Sequence, residues 1–151
     1  MTLELQEYDA SHLDALVLLW REAFEFGVGI TDPHPLSEQR EYFGSVVLSS
    51  HRVTLAFLSS QLVGFVASSA ESVSQLHVRV DFHRQGIGTA LLALAKARSS
   101  GSLWLYTFAR NRNACSFYES QGFTVIERGF EQVWQLEDVK YGWSAKARSG
   151  I

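Results

Sequence analysis

Leu76-His77-Val78-Arg79-Val80-Asp81-Phe82-His83-Arg84-Gln85-Gly86-Ile87-Gly88-Thr89 is the stretch on which the reading of this chain turns. Leu76, Val78 and Val80 alternate as a strand does, and two glycines follow in a short loop. From Gly88 to Ser99, Ala, Leu, Lys and Arg dominate, which predicts a helix. The first N–H groups of a helix have no internal partner, and its dipole adds partial positive charge there. Glycines let backbone approach a bound group closely. The loop therefore suits a phosphate or diphosphate, although a ligand-free strand-to-helix turn would read the same way. Two specific alternatives fail. Leu91 stands where a dinucleotide fingerprint needs its third small residue, and no Gly-Lys-Ser/Thr run exists for a P-loop.

The elements extend outward from this loop. Val53–Leu58, Leu62–Ser69 and Val73–Val80 read as three strands, with turns at Ser59–Gln61 and Ala70–Ser72. Downstream come a strand at Leu103–Phe108, a helix at Asn111–Gln121 closed by Gly122, and strands at Phe123–Arg128 and Val133–Trp143. Upstream, residues 2–8 alternate as a first strand. Ser11 caps a helix carrying Leu13, Leu16, Val17, Trp20 and Phe24 at helical spacing, and Gly27 to Pro35 breaks it. Ser37 caps a second helix with Tyr42, Phe43, Val46 and Val47 inward. The order predicts one α/β (α+β) domain over residues 1–151: a mixed, mostly antiparallel sheet of about seven strands with helices on both faces.

Composition narrows the class. The chain has 151 residues, 46% hydrophobic and 19% charged, as in an ordinary globular domain. Its formal charge of -3 argues against nucleic acid, which needs a surplus of Lys and Arg. No apolar run approaches the roughly 20 residues that cross a bilayer, and no leader pattern opens the chain. The lone Cys115 forms no intrachain disulfide, which fits a cytoplasmic setting. None of the 5 histidines pairs with another at metal-ligand spacing alongside a third ligand, so no metal is expected.

A second segment bears on the loop. Asn111-Arg112-Asn113-Ala114-Cys115-Ser116-Phe117-Tyr118-Glu119-Ser120-Gln121-Gly122-Phe123 follows one strand later. Together the two segments resemble the GNAT superfamily of N-acetyltransferases. The first is similar to its Gln/Arg-x-x-Gly-x-Gly/Ala diphosphate loop. The second is similar to its Asn-x-x-Ala-x-x-Phe-Tyr-x-x-x-Gly-Phe stretch, matched at Asn111, Ala114, Phe117, Tyr118, Gly122 and Phe123.

The resemblance implies an enzyme that moves an acetyl group from acetyl-CoA directly to an amine of a small molecule or protein. It implies that the backbone of Leu76, Val78 and Val80 pairs with the pantetheine arm, and that the amides of Arg84, Gln85, Gly86, Ile87, Gly88 and Thr89 hold the diphosphate. Asn111, Ala114 and Phe117 would adjoin the cofactor. The N–H near Val78 would face the thioester carbonyl, and Tyr118 would donate to the departing thiolate. Cys115 would be a small apolar helix residue, not a nucleophile. The chain departs from the family in having His83 for Gln or Arg and Val80 for a frequent proline. Ser74 and Gln75 stand where many members carry a carboxylate that helps deprotonate the amine.

That leaves the base open between Glu71 and His77 on the same strand, while Glu22, Glu25, Asp32 and His34 further upstream are candidates to bind the amine. Trp20, Phe24, Phe26, Tyr42, Phe43, Phe130 and Trp134 include candidates for the acceptor wall. A competing expectation is a non-catalytic acyl-CoA sensor. Exposed final strands are candidates for pairing two copies into a homodimer.

Overall fold

A computed structural model describes residues 2–145 of the chain. The element order is β1 (Leu3–Glu7), α1 (Leu13–Val28), α2 (Leu36–Tyr42), α3 (Leu48–Ser50), β2 (Arg52–Leu58), β3 (Gln61–Ser68), β4 (Val73–Val78), α4 (Ile87–Arg98), β5 (Ser102–Phe108), α5 (Arg112–Ser120), β6 (Thr124–Glu131) and β7 (Leu136–Ser144). The strands form two antiparallel sheets, β1-β2-β3-β4 and β5-β7-β6.

The first sheet is covered on both faces, and its strands show it. β2 and β3 are buried at nearly every position, unlike a strand with one wet face. On one side Leu16, Val17, Leu19 and Trp20 of α1, with Phe43 and Val47, pack on Leu55, Phe57 and Phe65. On the other, Ile87, Leu91, Leu92 and Ala95 of α4 pack on Ala56, Val63 and Val66. The same α4 cluster takes in Leu103, Leu105, Val139 and Tyr141 of the second sheet, with Tyr118 and Phe123. β5 alternates accordingly, with Leu103 and Leu105 inward and Trp104 and Tyr106 exposed.

Several expected boundaries shift for identifiable reasons. Helix α1 runs through Gly27 and ends at Gly29, whose left-handed backbone (φ 78°) lets its N–H reach Glu25 O at 2.9 Å. Asp9, not Ser11, caps the first turn, accepting from the Ser11 N–H at 2.9 Å. Pro35, not Ser37, precedes α2. A π turn over Phe43–Val47 widens the helix, which buries Phe43 and Val47 and turns Tyr42 and Val46 outward. β7 lies between β5 and β6, so of the final strands only β6 keeps a free edge. No helix among the described residues is long and apolar enough to cross a membrane.

The split between the sheets positions the site. β4 and β5 meet at one parallel bridge, Ser72↔Trp104, where Trp104 N–H donates to Glu71 O at 3.0 Å. Beyond that bridge the strands belong to separate sheets, and β4 keeps an open edge. Its register with β3 (Gly64↔Val78, Val66↔Leu76) decides what that edge presents. Arg79 N–H donates to Val63 O at 2.8 Å, which puts Arg79, and every second residue before it, in the set bonded to β3. Leu76 and Val78 fall in the alternate set. Their N–H and C=O groups point away from β3, toward the gap.

Candidate active site

The gap is the floor of a groove of about 460 Å³. It is lined by Leu76, His77 and Val78 of β4, by Arg84 and Gly86 to Thr89 at the start of α4, and by Asn111, Ala114, Phe117 and Tyr118 around α5. Gly86 caps α4 in the left-handed region (φ 82°), and no side chain satisfies that helix start. The first-turn amides are thus left for a ligand, and an anion complements them and the helix dipole. Gly88 sits close against α5, where an added Cβ would lie 3.3 Å from the Phe117 ring. One end of the groove thus offers amides for a diphosphate, and the other a free strand edge for an amide-bearing arm. These features fit coenzyme A.

Asn111 and Tyr118 close the far end. Asn111 Oδ1 accepts from Ala114 N–H at 3.1 Å and caps α5. Tyr118 is buried among the rings of Phe117, Phe123 and Tyr141. Burial pushes its phenol well above the ordinary tyrosine value, so it stays protonated at physiological pH. His77 lies between Trp20 and Phe65, with Nε2 2.9 Å from Gln75 Oε1. Burial pushes this imidazole down to about 4, so it is neutral under ordinary conditions.

A second groove, of about 900 Å³, opens on the other side of this end and shares Leu76, His77, Asn111, Ala114 and Tyr118 with the first. Its walls carry the aromatics Trp20, Phe24, Tyr106, Phe108, Phe130 and Trp134, and the acids Asp32, Glu38, Glu127, Glu131 and Asp138 against a single guanidinium, Arg21. Glu38, Glu127 and Asp138 form no ion pair among the described residues. Glu127 pairs in register with Lys140, yet that ammonium lies over the Trp104 and Tyr106 rings, at 4.9 and 5.7 Å.

The loop from α1 to α2 is built around Arg21, which donates to His34 O at 2.6 Å and to Gln39 Oε1 at 3.0 Å. Asp32, its side chain 10% exposed, meets Arg21 Nε at 3.3 Å and His34 Nδ1 at 2.7 Å. In the neutral imidazole, donation from Nδ1 to this carboxylate leaves Nε2 of His34 as the acceptor. Trp134 from the β6–β7 connection stands edge-on to His34 and against Phe24.

The expected site residues thus separate. Leu76, Val78, Arg84, Gly86, Ile87, Gly88, Thr89, Asn111, Ala114, Phe117, Tyr118 and His77 line the first groove. Val80, Gln85 and Glu71 do not. Strand β4 stops at Val78, and the carbonyl of Val80 is taken by His83 N–H at 3.3 Å in the following 3-10 turn. Gln85 is an exposed residue of the loop. Glu71 is exposed in the β3–β4 turn, beside the sheet bridge and away from both grooves. Glu127 and Asp138 were missed in the sequence; alternation in β6 and β7 marks a face, but only the sheet pairing joins that face to the groove. Among the described residues no cluster of acids, histidines and cysteine could hold a metal.

Comparison with known proteins agrees with this geometry. Residues 49–125 match the family model described as an acetyltransferase (GNAT) domain. The chain is 25% identical over 150 residues to the peptidyl-lysine N-acetyltransferase YiaC of Escherichia coli K12, covering 92% of this chain and 95% of that one. Its fold superposes on apo-YjaB from Escherichia coli with a TM-score of 0.79 at 19% identity, covering 97% of this chain and 100% of the other. It also superposes on the PaiA N-acetyltransferase from Thermoplasma acidophilum in complex with coenzyme A, with a TM-score of 0.75 at 20% identity, covering 95% and 99%.

Proposed function

Because the chain belongs to the GNAT acetyltransferases, whose donor is acetyl-CoA and whose acceptor is an amine, we propose that it acetylates the side-chain amine of lysine in a polypeptide. The single observation that carries this reading is the meeting of the two grooves at Tyr118 and His77. The donor groove has a strand edge and a helix start. The acceptor groove is large, open, aromatic-walled and rich in unpaired acids, which suits a cation on a flexible apolar stem. The similarity to a peptidyl-lysine N-acetyltransferase points to the same acceptor.

The residues divide the chemistry. The open edge at Leu76 and Val78 and the first amides of α4 would hold acetyl-CoA, which supplies the activated acetyl group. Backbone N–H on that edge would stabilise the carbonyl oxygen as it gains charge. Tyr118 would donate a hydrogen bond to the sulfur. An ordinary phenol, near 10, is already a weaker acid than a thiol near 8.5, and burial raises the phenol further. Tyr118 therefore stabilises thiolate as a donor more readily than it surrenders its proton outright.

His77, held down to about 4, is too weak a base to draw a proton from an ammonium. We assign that role instead to His34, which Asp32 orients on the acceptor wall, acting directly or through water.

The test is thiol release from acetyl-CoA against lysine peptides, peptides with only a free α-amine, and small amines, with mass spectrometry locating the added acetyl group. Lysine peptides are expected to react fastest, and His34→Gln to lower kcat about tenfold or more with little change in the KM for acetyl-CoA. Reaction confined to small amines overturns the acceptor. Acetyl-CoA binding without thiol release across the panel overturns catalysis and leaves the sensor.

A further inference from the structure

The open edge of β4 is not wholly free. Nε2 of His83, in the loop leading to α4, lies 2.9 Å from the carbonyl oxygen of Val78. A carbonyl only accepts, so Nε2 is the donor. That oxygen belongs to the edge where an extended amide-bearing arm would pair. A ligand donating to it from the groove competes with the imidazole for that space, because the ring itself lines the groove.

The displaced ring has a second destination. His83 precedes Gly86 by three residues, and the same groove holds the amides of Ile87 to Thr89. The titratable side chains lining that groove are His77, His83, Arg84 and Tyr118. His77 is neutral and Tyr118 is buried, so Arg84 and His83 are the side chains of this groove that can bring positive charge to a diphosphate. From α1 the ring of Phe26 stands edge-on to it, at 6.0 Å between centroids. Arg79 and Asp81, in the same connection, pair with each other at 3.1 Å. An imidazole released beside two phosphate charges is favoured in its protonated, doubly donating form.

We propose that His83 is a cofactor-exchange residue: it occupies the Val78 carbonyl while the groove is free, yields that acceptor to the pantetheine arm, and turns to the diphosphate as an imidazolium. This rests on the coenzyme A reading of the groove. It carries two consequences of opposite sign. The imidazole opposes the arm, which must compete for Val78, and supports the diphosphate, which gains a cation. Because the diphosphate favours the cationic ring, the added affinity is expected to be larger at lower pH.

The experiment is calorimetric titration of wild type, His83→Gln and His83→Ala with coenzyme A at pH 6.5 and 8.0, in two buffers of different ionisation enthalpy, plus NMR titration with pantetheine, which lacks the diphosphate. Wild type is expected to take up part of a proton on binding coenzyme A and to bind more tightly at pH 6.5. Neither variant takes up that proton, and His83→Ala binds coenzyme A about fivefold more weakly at pH 6.5 while binding pantetheine more tightly than wild type. Unchanged affinity and proton uptake in both variants overturns the proposal, as does tighter coenzyme A binding by His83→Ala. Failure of wild type to bind coenzyme A rejects the underlying assignment instead, and intact far-UV dichroism separates either result from misfolding.

Discussion

Two side chains at the meeting of the grooves, Tyr118 and His77, illustrate how burial decides chemistry residue by residue. Tyr118 is buried and His77 half-buried between two rings, and in both desolvation favours the neutral form, but the consequences differ. For the phenol, neutrality means a proton is always present to donate. Tyr118→Phe keeps the ring packing against Phe123 and Tyr141 and removes only that donor. It is expected to lower kcat about 100-fold while leaving the KM for acetyl-CoA within about twofold, as read by thiol release. For the imidazole, neutrality means the folded state resists protonation. His77 titrates near 4 folded and near 6.5 unfolded, so the unfolded chain binds the extra proton first. It therefore imposes no penalty above about pH 6.5, and stability is lost as pH falls from there toward 4. The loss reaches up to about 3 kcal/mol. Urea midpoints between pH 7 and 4.5 should show a steeper acid decline in wild type than in His77→Asn.

Among the elements, the contact between α1 and the start of α5 ties the acceptor side to the donor side. Gly27 faces Asn111, whose Nδ2 would stand 2.6 Å from an added Cβ. Gly to Ala inside a helix ordinarily stabilises by about 1 kcal/mol. Here the methyl would push the Asn111 amide aside and loosen the cap it makes on Ala114 N–H, a loss of similar size. Gly27→Ala is therefore expected to leave the urea midpoint nearly unchanged and to raise the KM for acetyl-CoA severalfold, since Asn111 lines the donor groove. A stabilised protein with unaltered KM would show that the two helices do not communicate through this side chain.

For the whole molecule, the two sheets joined at Ser72 and Trp104 make a wedge whose opening is the site. α4 spans both sheets from one side, with Leu91 and Leu92 fully buried, while α1 packs mainly on the first and reaches Phe108 of the second through Phe24. A ligand filling the wedge binds groups from both halves and none of them when unfolded. Acetyl-CoA at about 100 times its dissociation constant should thus add about 2.7 kcal/mol to the unfolding free energy. In a domain of this size that raises the Tm by about 5–10 °C, measurable by differential scanning fluorimetry. A shift of that size in wild type that persists in Tyr118→Phe would separate holding the donor from using it.

How much of this was legible beforehand follows from the range of the interactions. Element type, order and the helix-start loop depend on neighbours along the chain, so the alternation of Leu76 and Val78, the pair Gly86 and Gly88, and the spacing from Asn111 to Phe123 were readable directly. The split of seven strands into two sheets was not, because strand pairing joins residues far apart in sequence. Nor was the register that turns Leu76 and Val78 outward and leaves Val80 in a turn. The second groove was least legible: Asp32 and His34 stood among several candidates and Glu127 and Asp138 were not seen, because one loop and two strands meet around it only on folding. The local pattern by itself determined the glycine loop at Gly86 and Gly88 and the helix that carries Tyr118. Only the tertiary structure decided which acids and rings share one groove, since charge and burial there are set by partners the chain meets on folding.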